Sequence, residues 1–502
     1  MTPRAAKPAK TISLRPHPHL YEINTWAWLE QLSARAGRTV SLADVPDSEW
    51  DALAQKGFDV IWLMGVWRRS PIARGMALAL PANPPQYDRA LPGWKPEDVI
   101  ASPYAVASYI PDARIGGWDA IDRAREKLHA RGMALFLDFV GNHTALDHPW
   151  ISRHPEFYVQ GTQQDFEKSP ASFYEVKTSA GTVYIARGKD PYFPPWQDTA
   201  QLNYFEPRLR AAQIAELSSI AGHCDGVRCD MAMLQLTDIF ARVWSPLLRA
   251  APPPKTEFWA DAHAAVPSLT LLAEAYWGTE PRLLELGFSF VYDKGLYDAV
   301  RDLRMPQIHS SIEAPISYQS CQARYLENHD EARAAIAFGD KFPAAGVLMG
   351  TVPGMRFYHQ GELEGRKIFL PITLRIAGNE PPNPAAAAFF EKILRITAAD
   401  VFHHGQWSVL PVTPEGDPTS PNVAAYEWRS EKAWKVIAVN LSYGASQGRV
   451  HFAQGISPGR SYIFFDELND VRYIRDGDEL ANQGLFVRRD AFQAHLFDVT
   501  QA

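Results

Sequence analysis

Cysteine is scarce in this chain: its 502 residues include only Cys224, Cys229 and Cys321. None of the three stands at a spacing typical of zinc sites, so the sequence predicts reduced cysteines in a reducing compartment. Long apolar runs are also missing, and no stretch is long enough to span a bilayer. The basic segment 1–10 leads into polar, proline-broken sequence rather than into the apolar core of a signal peptide. We therefore expect a cytoplasmic protein with no membrane partner.

An excess of basic residues is lacking as well. The formal net charge is −7, from 50 Lys and Arg against 57 Asp and Glu. A chain of negative charge does not attract nucleic acid, so we expect no nucleic-acid partner. Hydrophobic residues make up 46% and charged residues 21%, which is typical of a globular protein with a large core.

Short apolar segments alternate with helical patterns along most of the chain. This alternation predicts βαβ units and a parallel sheet. Eight such units close into a (β/α)8 barrel, which carries its functional residues at the carboxyl ends of the strands. The eight predicted strands are 21–26, 58–67, 133–140, 225–230, 269–275, 288–292, 324–327 and 355–358.

Three regions lie outside this barrel pattern. Residues 1–19 form a predicted flexible tail, and the barrel takes 20–143 and 204–400. The excursion 144–203, rich in aromatics and prolines, is too long for a simple loop and predicts an insertion subdomain over the barrel mouth. After it, short strands with Gly, Asn and Asp turns over 401–502 predict a C-terminal all-β sandwich domain.

Charged residues stand where several predicted strands end. Arg228 and Asp230 are two residues apart, so they point to the same face of one strand, and the arginine keeps the carboxylate ionised. A structural ion pair at a strand end is the alternative. Carboxylates that converge on one barrel mouth are what glycoside hydrolysis needs. The other strand ends carry Asp138, Asn142 and His143, then Glu274, then Glu327, Asn328, His329 and Asp330.

With these four motifs in this order, the chain resembles the alpha-amylase family, glycoside hydrolase family thirteen. The resemblance covers residues 21 to 502. It implies an enzyme, a retaining α-glycosidase that cleaves α-glucosidic bonds through a covalent glycosyl-enzyme and requires no cofactor. An α-glucan or α-glucoside is the implied substrate.

The resemblance also implies individual roles. Asp230 is similar to the nucleophile, Glu274 to the general acid/base and Asp330 to the third carboxylate, which supports the distorted sugar ring. The residues implied to bind the substrate or to orient the nucleophile are Tyr104, Asp138, His143, Arg228 and His329.

The role of Asn142 and the residues that follow the nucleophile are two points at which the resemblance does not settle the function. Asn142 matches a position that ligates structural calcium in many members, and its alternative role is to stabilise a turn.

Many alpha-amylases carry a lysine-histidine pair after the nucleophile, where this chain has Met233 and Leu234. These two side chains cannot donate to sugar hydroxyls, which favours short α-glucosides or maltooligosaccharides, unless they pack under the barrel rim. Aromatic residues of the insertion are expected to wall the cleft into a pocket: Trp150, Phe157, Tyr158, Tyr192, Phe193 and Trp196.

Two other functions remain open at this point. A transglycosylase or isomerase of the same family, similar to a maltosyltransferase or a trehalose synthase, shares the catalytic residues. An inactive member that serves as a binding subunit is the third reading, and the intact Asp230, Glu274 and Asp330 argue against it.

Overall fold

Eight parallel strands form a closed barrel in the computed structural model, which describes residues 12–178, 181–248 and 252–502. Each strand pairs with the next one along the chain, and the last pairs with the first. The predicted (β/α)8 fold class is confirmed. Numbered β1 to β8, the strands are His19–Asn24, Val60–Met64, Ala134–Phe139, Gly226–Cys229, Thr270–Ala273, Phe290–Tyr292, Gln322–Arg324 and Met355–His359.

Amphipathic helices separate these strands. Helix Gly117–His129 shows why: its buried Ala120, Ile121, Ala124 and Leu128 fall on one face, which it turns to the core. The strands are largely buried, as in the wholly apolar β2, because a parallel barrel covers both faces of its sheet. The main helices are Thr25–Ala36, Asp47–Gln55, Gly117–His129, Pro207–Ala221, Thr237–Trp244, Phe258–Ala265, Glu280–Glu285, Lys294–Arg301, Met305–Glu313, Phe342–Thr351 and Pro384–Thr397.

Two strand ends differ from the sequence prediction. β1 stops at Asn24, and Thr25 and Trp26, predicted to be strand, begin a helix. The side-chain oxygen of Asn24 accepts a hydrogen bond from the backbone N–H of Ala27 at 3.2 Å, so a helix cap overrides the β-branched and aromatic residues that follow. β7 ends at Arg324, which leaves the predicted segment up to residue 327 in the loop at the barrel mouth.

The predicted tail over 1–19 is described only from residue 12. His17 is buried: its Nδ1 accepts from the backbone N–H of Gly354 at 2.9 Å, and its ring lies 5.1 Å from that of Trp428. His19 already belongs to β1. The described end of this segment therefore packs between the barrel and the C-terminal domain.

The insertion after β3 carries its own small sheet. Its strands lie in the order Gln160–Gly161, Gly181–Ala186, Phe173–Thr178. A second pair, His143–Ala145 with Thr199–Gln201, ties the two ends of the insertion together beside the barrel mouth.

The C-terminal region is all-β apart from short helical segments at Val401–His404, Ser420–Asn422 and Gly477–Gln483. It docks on the barrel through helix Phe342–Thr351, where Trp428 Nε1 donates to the Thr351 carbonyl at 2.6 Å. No helix in the described ranges is both long and apolar enough to cross a membrane. A six-stranded sheet contains Gln406–Val409, Val423–Arg429, Trp434–Asn440, Ala494–Gln501, Ser461–Asp466 and Val471–Asp476, and a three-stranded sheet contains Val412–Thr413, Ser446–Val450 and Leu485–Arg489.

Candidate active site

Strand register brings the two central carboxylates side by side. In the pairing of β4 with β5, Cys229 lies opposite Ala273. The next residue of each strand, Asp230 and Glu274, therefore leaves the barrel at the same level. Because parallel strands all end on one edge of the barrel, adjacent strand ends present their side chains to one site.

A single guanidinium binds both of these carboxylates. Arg228 donates from one terminal nitrogen to Asp230 Oδ1 at 2.7 Å and from the other to Glu274 Oε2 at 2.6 Å. Its Nε donates to the Tyr292 hydroxyl at 3.3 Å. Arg228 is fully buried, and its planar fork of donors suits two carboxylates at fixed positions.

Glu274 receives two further hydrogen bonds. The Tyr276 hydroxyl donates to its Oε1 at 2.8 Å, and the backbone N–H of Met231 donates to its Oε2 at 2.8 Å. Met231 follows Asp230 directly and has a left-handed backbone with φ 45°. Such a conformation is strained for a residue with a side chain and is often retained at functional sites. In this site it directs the backbone N–H of Met231 toward Glu274.

The charged groups around Asp230 differ from those around Glu274, and they act differently on the pKa of each carboxyl group. Burial raises the pKa of Glu274, and the neighbouring charges of Asp230 and Asp330 raise it further, while Arg228 opposes them. Burial also raises the pKa of Asp230, and the charge of Asp330 adds to this rise, while two cations, Arg228 and His329, oppose it. Because two cations act on Asp230 and only one acts on Glu274, Glu274 is the group of the pair that holds a proton more readily.

Asp330 is placed differently from the other two carboxylates. Its side chain is 51% exposed, and its Oδ2 lies 2.9 Å from His329 Nε2. Partial burial favours the neutral acid, but the His329 imidazolium outweighs this and lowers the pKa of Asp330. Asp330 therefore presents an ionised carboxylate at the rim of the site.

A cavity of about 220 Å³ lies between these groups. Five of the predicted site residues line it: Tyr104, His143, Asp230, Glu274 and Asp330. The rest of its wall includes Trp196 and Asp198 from the insertion. The other predicted residues, Asp138, Arg228 and His329, lie behind this wall, so their direct contact with sugar stays a prediction.

Asp138 is held in the barrel interior. Trp62 Nε1 donates to its Oδ1 at 3.1 Å, and the backbone N–H of Gly65 donates to its Oδ2 at 2.6 Å. Both oxygens are thus engaged by β2 and the turn after it. This arrangement anchors the end of β3 beneath the site.

His143 faces the cavity as a neutral imidazole. Burial lowers the pKa of His143 to about 4. Its Nε2 donates to the Tyr104 carbonyl at 3.1 Å, which places the tautomeric proton on that nitrogen. The ring edge also contacts Trp196, with ring centroids 5.2 Å apart.

The surroundings of Asn142 do not fit a calcium-ligand set. Its side-chain oxygen accepts from Gln201 Nε2 at 3.0 Å, and its own amide nitrogen donates to Gln201 Oε1 at 3.2 Å. Each amide thus satisfies the other, and Gln201 also donates to the Asn142 carbonyl at 3.0 Å. No group of three or more acidic, histidine or cysteine side chains suited to a metal occurs in the described part of the chain. Calcium binding by Asn142 stays a prediction, and no chemical step below depends on it.

Met233 and Leu234 pack under the rim rather than facing the cleft. They are 0% and 3% exposed, respectively. The second of the two sequence interpretations is therefore the one that the structure supports. A preference for short substrates has to rest on other walls of the cleft.

The aromatic residues of the insertion lie in three kinds of position: lining the cavity, buried in the insertion, or exposed at the surface. Trp196 lines the cavity, whereas Phe157 and Tyr158 are buried inside the insertion. Tyr192 is 62% exposed and meets Trp277, which follows β5, with ring centroids 5.0 Å apart. This exposed aromatic pair joins the insertion to the loop that carries Glu274 and Tyr276.

Sequence reasoning missed several residues that build the site. Glu22 in β1 contacts His329 and is described below. Its signal was an acidic residue between the apolar Tyr21 and Ile23 of a predicted strand. Tyr276 was also missed, although its spacing of two from Glu274 was the same clue that singled out Arg228 and Asp230. Asp198 and Trp277 carried no comparable signal.

The fold is shared with known alpha-amylases. A maltogenic alpha-amylase from Thermotoga neapolitana superposes with a TM-score of 0.67 at 18% identity, covering 96% of this chain and 98% of that one. An alpha-amylase from Geobacillus thermoleovorans, complexed with acarbose, superposes with a TM-score of 0.63 at 16% identity, covering 97% and 99%. Both likenesses concern the fold.

Sequence relatives agree with this class. Alpha-amylase 3 of Dictyoglomus thermophilum is 24% identical over 282 residues, which are 50% of this chain and 52% of that protein. The trehalose synthase of a Pimelobacter species is 24% identical over 271 residues, or 45% of each chain. The chain thus spans about half the length of these curated relatives, and no protein-family model matches it. The relatives and the fold agree with the resemblance to the alpha-amylase family that the four motifs indicate.

Proposed function

We propose that this protein is a retaining glycoside hydrolase that cleaves α-glucosidic bonds in short α-glucosides or maltooligosaccharides. The observation that carries the proposal is the binding of Asp230 and Glu274 to one buried guanidinium, beside a cavity that Asp330 also lines. Two carboxyl groups in different electrostatic surroundings can divide the work of nucleophile and acid.

In the proposed reaction, Asp230 attacks the anomeric carbon while Glu274 protonates the departing glycosidic oxygen. The bond from the anomeric carbon to that oxygen breaks, and a glycosyl ester with Asp230 forms. Glu274, now ionised, removes a proton from water, which attacks the same carbon and releases Asp230. Arg228 balances the charge of Asp230, and Asp330 stabilises the positive charge that develops on the sugar ring.

The stereochemical outcome tests this proposal. With an aryl α-glucoside as substrate, proton NMR in the first minutes should show the α-anomer of glucose as the first product, because two displacements at one carbon restore its configuration. Appearance of the β-anomer first would mean a single displacement and would contradict Asp230 as nucleophile.

Transfer to a second sugar is the other candidate, and a specific feature favours it. The exposed pair of Tyr192 and Trp277 offers aromatic faces on which an acceptor sugar can stack beside Glu274. A trehalose synthase is among the relatives that match this chain. Product analysis of maltose reactions with and without added glucose or maltotriose separates the two: hydrolysis gives only shorter sugars and finally glucose, whereas transfer gives longer or isomeric sugars.

A further inference from the structure

Glu22 is a buried acidic residue in β1 that has no role in the reaction described above. It is 0% exposed, and its Oε1 lies 2.5 Å from His329 Nδ1. Its second oxygen, Oε2, has no hydrogen-bond partner in the described part of the chain. Burying a carboxylate is strongly unfavourable unless it is paired, so its pairing with His329 is what makes this position tolerable for an acid.

His329 joins Glu22 to the catalytic centre. While Nδ1 faces Glu22, Nε2 lies 2.9 Å from Asp330 Oδ2 and 2.7 Å from the Tyr104 hydroxyl. An imidazole between two carboxylates can donate to both only when both ring nitrogens carry protons. His329 is thus an imidazolium ion that touches one buried acid and one exposed acid.

The charges around the ring agree with this state. Burial alone would lower the pKa of His329, but Asp330 and Glu22 together raise it well above its ordinary value. The Trp62 ring packs edge-on against the imidazole, with centroids 5.6 Å apart. The other ionisable groups near His329 and Asp330 include Tyr104, Asp138, Arg228, Asp230, Glu274, Tyr276, Arg333 and His359.

The position of Asp330 depends mainly on its ion pair with His329, whereas Asp230 and Glu274 are held by burial and by Arg228. Asp230 and Glu274 are buried and bound to Arg228, whereas Asp330 is half exposed, and among the described residues its ion pair is with His329 alone. We propose that Glu22 is a positioning residue, which acts through His329 to hold Asp330 ionised and oriented toward the cavity. This inference rests on the function proposed for the three carboxylates.

The Glu22→Gln variant tests the proposal, because it removes the charge and keeps the shape. We expect the pKa of His329 to fall by about 1–3 units once one of its two carboxylates is gone. Because deprotonation of the acid Glu274 sets the alkaline limb of kcat, that limb should move to lower pH where the pKa of His329 falls below the pKa of Glu274. At the pH optimum, kcat should fall roughly tenfold.

The titration of His329 can be read without any sugar. Nitrogen-15 NMR of labelled histidines, assigned with His329→Gln, should show His329 protonated through neutral pH in the wild-type protein. A wild-type value at or below the ordinary pKa of about 6.5 would overturn the proposal even if Glu22→Gln did not fold. Glu22→Asp, which keeps the charge, should restore part of the shift.

A matched control lies in the C-terminal domain. Asp466 and His495 form a second buried pair, with Oδ2 and Nδ1 also 2.5 Å apart. Asp466→Asn should lower the melting temperature and leave both limbs of the pH profile in place. If Glu22→Gln behaves in the same way, with unchanged limbs and an unchanged His329 titration, Glu22 is structural only. If the His329 titration shifts but the wild-type protein cleaves no α-glucoside, the link stands and the proposed hydrolase function fails.

Discussion

Arg228 supplies one positive charge to two carboxylates, and this imbalance sets the chemistry of the site at the scale of single residues. With both acids ionised, the triad carries a net negative charge in a buried environment, which is unfavourable. The second acid therefore tends to hold a proton. Glu274, next to both Asp230 and Asp330, is that acid.

Substitution of the two acids should separate their roles. Asp230→Asn should lower kcat by at least about 10⁴-fold on every substrate, because an amide does not form the glycosyl ester. Glu274→Gln should lower kcat on maltose by about 10²–10⁴-fold and on α-glucosyl fluoride far less, since fluoride needs little protonation to leave. Initial rates on both substrates, with melting temperatures as a check on folding, give the answer. Equal losses on the two substrates would argue that Glu274 is not the acid.

Among the structural elements, the turn of the insertion at residues 190–193 is notable because hydrogen bonds fix its conformation. The buried Asp190 accepts hydrogen bonds at its Oδ1 from the backbone N–H groups of Tyr192 at 2.6 Å and of Phe193 at 2.9 Å. Opposite this turn, Trp277 is 39% exposed and has a left-handed backbone with φ 65°. An exposed aromatic residue held at such cost points to a role in binding.

Loss of this aromatic pair should weaken the binding of the leaving sugar. Trp277→Ala and Tyr192→Ala should each lower kcat/KM for maltotriose by about 2–10-fold, because stacking contributes roughly 0.5–1.5 kcal/mol. Hydrolysis of α-glucosyl fluoride, whose leaving group has no ring to stack, should stay unchanged. Tyr443→Ala is a matched control, since Tyr443 meets Phe492 in the C-terminal domain with a similar 5.1 Å separation. An equal loss on the fluoride would show that the pair supports the fold of the site and not the bound sugar.

For the whole molecule, the size of the site predicts the size of the substrate. The cavity of about 220 Å³ is smaller than the roughly 300–1,000 Å³ typical of ligand pockets, and the insertion supplies one of its walls. We expect short α-glucosides and maltooligosaccharides to be cleaved more efficiently per bond than soluble starch. Initial rates on maltose, maltotriose, maltoheptaose and starch measure this preference. A steady rise in efficiency up to the polymer would instead indicate an endo-acting enzyme with a long open cleft.

Local patterns in the sequence determined the architecture and the candidate catalytic acids. The eight mainly apolar segments predicted the eight strands, because strands buried on both faces are rich in apolar residues. Asp230, Glu274 and Asp330 could be found because parallel strands end at one rim, so a charged residue after an apolar run predicts a place in space. Spacing of two residues likewise identified Arg228 as the partner of Asp230.

Only the tertiary structure decided which distant side chains meet. Glu22 and His329 are 307 residues apart and come into contact because the barrel closes β1 against β8, next to the loop after β7. The pairing of Tyr192 with Trp277, and of Asn142 with Gln201, depends on how the insertion folds back over the mouth. The burial of Met233 and Leu234 depends on the path of the chain after β4. Sequence periodicity tells which face of an element is buried, but closure and loop packing set the neighbours of each side chain, and those neighbours determine its charge and its function.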